Sequence, residues 1–365
     1  MAIILENLEV DCYRGINELK LEDFNHVNIL VGDNNAGKTS VMEMICALML
    51  PLSVSVWNEI AKKKSSNNRV MFYRAYRNIF PIDKEMVIHF KGEFADKQIH
   101  CVTMTAEEYT TSITEREKNR INGFIRTGKQ DDKDVYIDTN VMEITIREDL
   151  DEYQFEIYDF QGRPPIEDRK NVGKLKNRIK SPVTFVEPRD GLENDYEYMK
   201  DVILNTEYHE QMIEILREFD PAITDIISVE ELGGTEYYVR TSEHKSAVPV
   251  SVYGDGLKKA LVIFSAMVSS RNGIVMIDEV ETSIHTSAMQ MIFRTLIRWA
   301  RKLDVQLFVS SHSKEAITTL LTCDKEYSDG INVYTLYRND QKNYVRRLSC
   351  KKALDLQEKM GMELR

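Results

Sequence analysis

Gly32-Asp33-Asn34-Asn35-Ala36-Gly37-Lys38-Thr39-Ser40 fits the pattern G-x-x-x-x-G-K-[ST], and its reading decides the fold. Val27-Asn28-Ile29-Leu30-Val31, just before it, reads as a buried strand. From Thr39 to Leu50 the chain is apolar apart from Ser40 and Glu43, which reads as a buried helix stopped by Pro51. A glycine-rich turn between strand and helix can curl around a phosphate, because its N–H groups and the helix N-terminus present positive potential there. The pattern therefore predicts a nucleotide cradle of Gly32, Asn34, Asn35, Ala36, Gly37 and Ser40. In it Lys38 reaches the β- and γ-phosphates and Thr39 ligates Mg²⁺.

A second stretch supplies the carboxylates such a cradle needs. Ile274-Val275-Met276-Ile277 is a four-residue apolar run that carries Asp278 and Glu279 to the C-terminal edge of a sheet, where ligands of α/β folds bind. Asp278 is expected to hold Mg²⁺, and Glu279 to orient the attacking water. These two motifs predict NTP binding and leave the family open.

Outward from them, the chain alternates. Leu5, Leu8 and Val10, then Leu19 and Leu21, mark N-terminal strands, and residues 86–104 and 135–160 read as more strands. Between the latter, Thr110 to Asp134 is polar and charged and reads as an exposed insertion. Tyr196 to Phe219 has helical spacing and closes at Asp220-Pro221. Leu257–Ser269 reads as an apolar helix, Ser287–Leu303 as an amphipathic one and Leu307-Phe308-Val309 as a buried strand. A strand pair around Val333–Leu348 and a last helix complete the reading. Strands alternating with helices predict an α/β fold with a largely parallel sheet covered on both faces.

Composition bounds the setting. The chain has 365 residues, 42% of them hydrophobic and 29% charged, which is enough for a sizeable core. It has no apolar run of the roughly 18 residues needed to span a membrane. The opening Met1-Ala2-Ile3-Ile4-Leu5-Glu6 does not read as a leader. Cys12, Cys46, Cys101, Cys323 and Cys350 are scattered without a C-x-x-C pair, so a reducing compartment, the cytoplasm, is expected and a disulfide framework or zinc site is not. A net charge of −11 argues against a surface coated for nucleic acid but leaves room for a local basic patch. Lys62-Lys63-Lys64 and the run Arg163 to Lys180 are open to that reading or to being solvated faces.

Three further elements narrow the family. Ser251-Val252-Tyr253-Gly254-Asp255-Gly256-Leu257-Lys258 is a Gly-x-Gly turn opening an apolar helix, able to aim N–H groups at a phosphate. Glu281-Thr282-Ser283-Ile284-His285 follows the carboxylate pair. Ser310-Ser311-His312-Ser313 ends the next buried strand. With Tyr13-Arg14-Gly15 near the N-terminus, this order resembles the ABC-type ATPases of the SMC, RecF and OLD (overcoming lysogenisation defect) branch, and is most similar to the small bacterial ATPases labelled AAA15 or AAA21. The resemblance runs from residue 3 to about 338. It is specific at Tyr13-Arg14-Gly15, the P-loop, Tyr253-Gly254-Asp255-Gly256 and Asp278-Glu279-Val280-Glu281.

The resemblance implies a P-loop NTPase fold, one ABC ATPase head with a mixed sheet and a helical signature lobe. Residues 1–164 would form the N-terminal lobe, 165–262 the signature lobe and 263–365 the rest of the core. It implies that Ser251, Gly254, Asp255, Gly256 and Lys258 cap the γ-phosphate of ATP held by a second subunit. Glu281–His285 would be the D-loop, His312 the γ-phosphate-sensing switch, and Arg14 a contact to nucleotide or DNA. A homodimer closing on Mg-ATP, cytoplasmic and coupled to a separately encoded effector (a TOPRIM-type nuclease or a toxin) in phage defence or DNA surveillance, is the function implied. A RecF-like clamp on duplex DNA and a low-turnover ATP-binding scaffold are the alternatives.

The chain also departs from its relatives. Gln98 is the one glutamine offered for the Q-loop, and the S-G-G-Q run is absent. Asp278-Glu279-Val280-Glu281-Thr282-Ser283-Ile284-His285 stands where transporters read D-E-P-T-x-x-L-D. No window sustains coiled-coil heptads. The 53 residues after His312 carry no carboxylate cluster for a two-metal site, so intrinsic nuclease activity is not expected.

Overall fold

The structure, a computed structural model, describes residues 3–62, 71–82, 84–123, 135–166, 181–188, 198–231, 234–339 and 342–360. Strands β1 (Leu5–Tyr13) and β2 (Ile16–Leu21) form a hairpin. β3 (Val27–Val31) then runs into α1 (Lys38–Met49), followed by α2 (Val54–Lys62) and α3 (Phe72–Arg77). β4 (Val87–Phe94), β5 (Ile99–Thr114), β6 (Tyr136–Glu148) and β7 (Asp151–Tyr158) join β1 and β2 in a six-stranded antiparallel sheet ordered β2-β1-β4-β5-β6-β7. Residues 110–114, read from composition as part of an exposed insertion, extend β5, in register from Thr110 opposite Asn140 to Thr114 opposite Tyr136. The polarity there is that of a two-stranded ribbon running past the core, where a backbone ladder needs no apolar face. α4 (Glu115–Ile121) follows with no buried residue, while 124–134 lie outside the described residues.

The second sheet holds the motifs. β8 (Val183–Val186), β12 (Ile274–Ile277), β13 (Gln306–Ser311), β3 and β14 (Ile331–Asn339) are parallel neighbours, and β15 (Lys342–Ser349) pairs antiparallel with β14 at the edge, giving the order β15-β14-β3-β13-β12-β8. The two-residue period of a strand splits each apolar run between two cores. Leu30, Met276, Phe308 and Tyr334 face the antiparallel sheet and α1. Val31, Val275, Val309 and Val333 face the helices of the C-terminal half. This is why these runs are continuous rather than alternating: both faces are covered. Gln306, fully buried, joins the sheets at one end, accepting from Leu5 N at 2.9 Å and donating to Leu5 O at 2.8 Å.

The span 165–262 carries more strand than its helical spacing announces. α5 (Met199–Leu204) and α6 (Thr206–Leu216) are the helices read from Tyr196–Phe219. β9 (Ile223–Glu231), β10 (Gly234–Thr241) and β11 (Val248–Pro249) then form a small antiparallel sheet before α7 (Asp255–Ser269). α8 (Thr286–Lys302), α9 (Lys314–Thr322) and α10 (Cys350–Met360) complete the chain. No helix among the described residues is long and apolar enough to cross a membrane. Of the two basic stretches, Lys63, Lys64 and residues 167–180 lie outside the described residues.

Candidate functional site

The loop after β3 owes its shape to backbone that few side chains tolerate. Gly32 has φ +146, and a Cβ there would sit 2.3 Å from the Leu336 carbonyl oxygen on β14. Gly37, the residue before α1, has φ +102, and Asn35 has φ 66. Left-handed residues in such a turn aim successive N–H groups at one point, which suits an anion. Ser40 continues the first turn of α1. Lys38 is only 8% exposed, with its ammonium folded onto the carbonyl oxygens of Gly32 (2.7 Å) and Asp33 (3.1 Å). Burial pushes its pKa down, opposed by the nearby carboxylates of Asp278, Glu279, Glu281 and Asp33. A buried cation held, among the described residues, by neutral carbonyls is arranged for an incoming anionic ligand.

Thr39 and Asp278 meet directly, the threonine hydroxyl donating to Oδ2 at 2.7 Å. Ser310, at the end of the neighbouring strand β13, donates to Asp278 Oδ1 and accepts from the Glu279 N–H at 2.8 Å. One carboxylate is thus fixed from two sides. Glu279 has φ 46, a left-handed conformation that costs a non-glycine residue about 1 kcal/mol or more. The turn Thr282 N to Glu279 O, at 2.8 Å, holds it there.

His312 follows β13, half exposed, with Nδ1 3.7 Å from a Glu279 carboxylate oxygen and 3.6 Å from Glu281 Oε1. Sequence reasoning placed Glu281 in a loop without giving it a job. In the structure its Oε1 accepts from Ser311 Oγ (2.9 Å), His312 N (3.1 Å) and Ser313 N (3.1 Å). Its Oε2 is buried with no hydrogen-bond partner among the described residues. Glu281 therefore sets the path of the loop that carries His312. Ser310 and Glu281 were missed because their partners come from a strand some thirty residues away. The polar pair Ser310-Ser311 ending an apolar strand was the one available signal.

The Gly254–Lys258 segment forms a separate surface. Gly254 precedes α7 with no side chain capping the helix, and Leu257 N donates back to Gly254 O at 3.0 Å, which leaves the N–H groups of Asp255 and Gly256 to meet an outside acceptor. The positions of a Cβ at Gly254 and at Gly256 are open space. Ser251 lies exposed in the short turn before, and Lys258 pairs with Asp255 at 3.2 Å. Lys259, which the sequence did not single out, is 2% exposed and donates to the carbonyls of Glu187 (2.8 Å) and Pro188 (3.2 Å). Those residues follow β8, whose last carbonyl, Val186 O, accepts from Asp278 N at 3.0 Å. One strand end thus links the helix bearing Gly256 to Asp278.

Two expected positions lie elsewhere. Arg14, expected to touch nucleotide or DNA, turns toward α1, where it meets Glu43 Oε2 at 2.6 Å and donates to Ile60 O at 3.3 Å. Glu43 is fully buried and accepts from Tyr13 as well, at 2.8 Å. A buried carboxylate on the P-loop helix needs a cation, and Arg14 provides it. Gln98 sits exposed in the β4–β5 turn of the antiparallel sheet, remote from this cluster in topology.

Several known proteins and family models resemble this chain. The family model described as "AAA domain, putative AbiEii toxin, Type IV TA system" matches residues 108–318, and one described as "AAA ATPase domain" matches residues 3–179. The chain is 22% identical to an ATP/GTP phosphatase of Helicobacter pylori, over 93% of its own length and 94% of that protein's. It is 31% identical to an uncharacterised protein of Methanocaldococcus jannaschii, over 31% of this chain and 98% of the other. Among solved structures, an Smc head bound to the C-winged helix domain of ScpA superposes with a TM-score of 0.52 at 12% identity, covering 96% of this chain and 99% of that one.

Proposed function

Because the chain belongs to the AAA-domain ATPase family whose model matches residues 108–318, we propose that it works as an ATP-gated dimer that reports the state of its nucleotide to another macromolecule. The observation that carries this reading is the cluster at the end of β3, β12 and β13. There Lys38, Thr39, Asp278 and Glu279 converge around a loop shaped for phosphate.

In this reading Lys38 leaves the carbonyls of Gly32 and Asp33 for the β- and γ-phosphate oxygens when ATP enters. Thr39 and Asp278, already in contact, would hold Mg²⁺, which when bound neutralises charge on the phosphates. Glu279 orients the water and takes its proton, and His312, held by the Glu281 loop, sits where the γ-phosphate end is sensed. The uncapped start of α7, with Ser251, Gly254, Asp255, Gly256 and Lys258, faces outward and would cap the γ-phosphate of a second copy. Each site would then need two chains, so closure depends on ATP and hydrolysis opens the dimer. The name of the Helicobacter pylori relative, an ATP/GTP phosphatase, supports hydrolysis. The family's description, a putative AbiEii toxin of a type IV TA system, supports a toxin–antitoxin setting, and coupling to a separately encoded effector, a toxin or TOPRIM-type nuclease, in phage defence is the role we propose within it.

The test is turnover and ATP binding in two variants. Glu279→Gln should lose turnover at least a hundredfold while still binding ATP, and Lys38→Ala should lose both. Turnover unchanged in Glu279→Gln would contradict the assignment and favour a scaffold that binds ATP without using it.

A further inference from the structure

The chain carries a net charge of −11, yet one segment reverses the sign. Between Tyr337 and Lys352, the cations Arg338, Lys342, Arg346, Arg347, Lys351 and Lys352 stand against the single acid Asp340. This segment is the β14–β15 hairpin and the start of α10; β15 ends the P-loop sheet and touches β2 through Asn343, which accepts from Asn17 N at 3.2 Å.

Register sorts the side chains. Asn339 lies opposite Lys342, Tyr337 opposite Tyr344 and Thr335 opposite Arg346, and residues directly opposite in an antiparallel pair share a face. On that face the two tyrosine rings stack, with centroids 5.4 Å apart and planes 15° from parallel. They remain 48% and 42% exposed, among the most exposed aromatic side chains described. Lys342 stands on one side of the pair and Arg346 on the other, each two residues along the strand and so about 7 Å away. Neither has a carboxylate within ion-pair distance among the described residues, and Arg346 Nε has no hydrogen-bond partner there. Arg347, on the opposite face, is already paired with Asp23 at 2.9 Å. Burying aromatic rings is the ordinary way to use them. Two half-exposed rings flanked by Lys342 and a part-buried Arg346, neither with a carboxylate partner among the described residues, suit a ligand that is both aromatic and anionic.

We propose that this face of the hairpin docks single-stranded nucleic acid, with bases stacking on Tyr337 and Tyr344 and phosphates meeting Lys342 and Arg346. Duplex DNA keeps its bases stacked on one another and has no use for the tyrosines. The surface is also placed to feel the nucleotide. Thr335 pairs with Val31, and the next carbonyl, Leu336 O, lies against Gly32, so Tyr337 is the residue that follows the contact to the P-loop on the same strand. The inference names a partner for the ATP-gated head and rests on that reading only for the link to ATP.

The experiment is fluorescence anisotropy of a labelled oligothymidine and a labelled duplex with the full chain, across a salt series. The unaltered protein should bind the single strand with affinity that falls as salt rises. Tyr337→Ala with Tyr344→Ala, and separately Lys342→Glu with Arg346→Glu, should each weaken binding at least tenfold. Tyr337→Phe with Tyr344→Phe should restore it. Basal ATP turnover should stay unchanged in all three, which shows that the head is intact. No salt-dependent binding, equal binding by every variant, or duplex binding indifferent to the tyrosines would overturn the proposal. Oligothymidine binding that survives while the Glu279→Gln protein shows no rise in light-scattering mass with Mg-ATP would count against the dimer alone, and the reverse against this surface alone.

Discussion

Asp278 shows how the site is held at the level of single atoms. Thr39, on α1, and Ser310, on β13, take its two oxygens, so its position follows from a helix and a strand rather than from a flexible loop. Glu281 does comparable work for His312, and its asymmetry makes a sharp prediction. All three donors go to Oε1, and an amide oxygen can take that place. Glu281→Gln should therefore keep turnover within about threefold, whereas Glu281→Ala should lower kcat tenfold or more with little change in KM, because three donors lose a charged acceptor. Equal losses in the two variants would mean that charge, not position, is what Glu281 supplies. Glu43→Ala should destabilise the fold by about 3 kcal/mol, read as a lower denaturation midpoint, because it strands Arg14 beside the P-loop helix. At this scale the sequence made Lys38, Thr39, Asp278 and Glu279 legible, since each sits in a motif whose spacing is local. Ser310, Glu281 and Lys259 were not, since each acts through a contact made only by folding. Arg14 was read by resemblance, and its partner, Glu43, could not be seen from its own neighbourhood.

Elements were legible where burial dictated composition. Ile274–Ile277 is the strand expected, and the helix read as Leu257–Ser269 begins two residues earlier, at Asp255. β9, β10 and the end of β5 were not, because their exposed faces dilute the apolar alternation. The small sheet precedes α7, whose link to the nucleotide edge is Lys259. Lys259→Met should take a buried donor from the carbonyls of Glu187 and Pro188, costing about 1–3 kcal/mol in denaturation and weakening ATP-driven dimerisation. A variant as stable and as able to dimerise as the parent would remove that link from the account. α9 and α10 offer a further check on packing. Burial pushes the thiol of Cys323, at the end of α9, up to about 12, and that of Cys350, at the start of α10, up to about 11. At pH 8 both are thiols rather than thiolates. Alkylation of the native protein should spare them and reach them only on unfolding. Ready modification of either in the native state would show that the helices pack otherwise.

As a whole, the described residues form two six-stranded sheets sharing one core, with a second core behind the P-loop sheet built from helices and the small β9–β11 sheet. The nucleotide cluster lies at the C-terminal edge of the parallel strands, where open α/β sheets place ligands. The start of α7 opens outward, its own hydrogen bonds and ion pair kept within Gly254–Lys258. That separation is what makes a second copy necessary in the account. The most direct measurement is the light-scattering mass of the Glu279→Gln protein with and without Mg-ATP. A rise from the 42.4 kDa chain to twice that mass is expected with Mg-ATP, abolished by adding Lys38→Ala. A mass that does not respond to Mg-ATP would contradict the ATP-gated dimer.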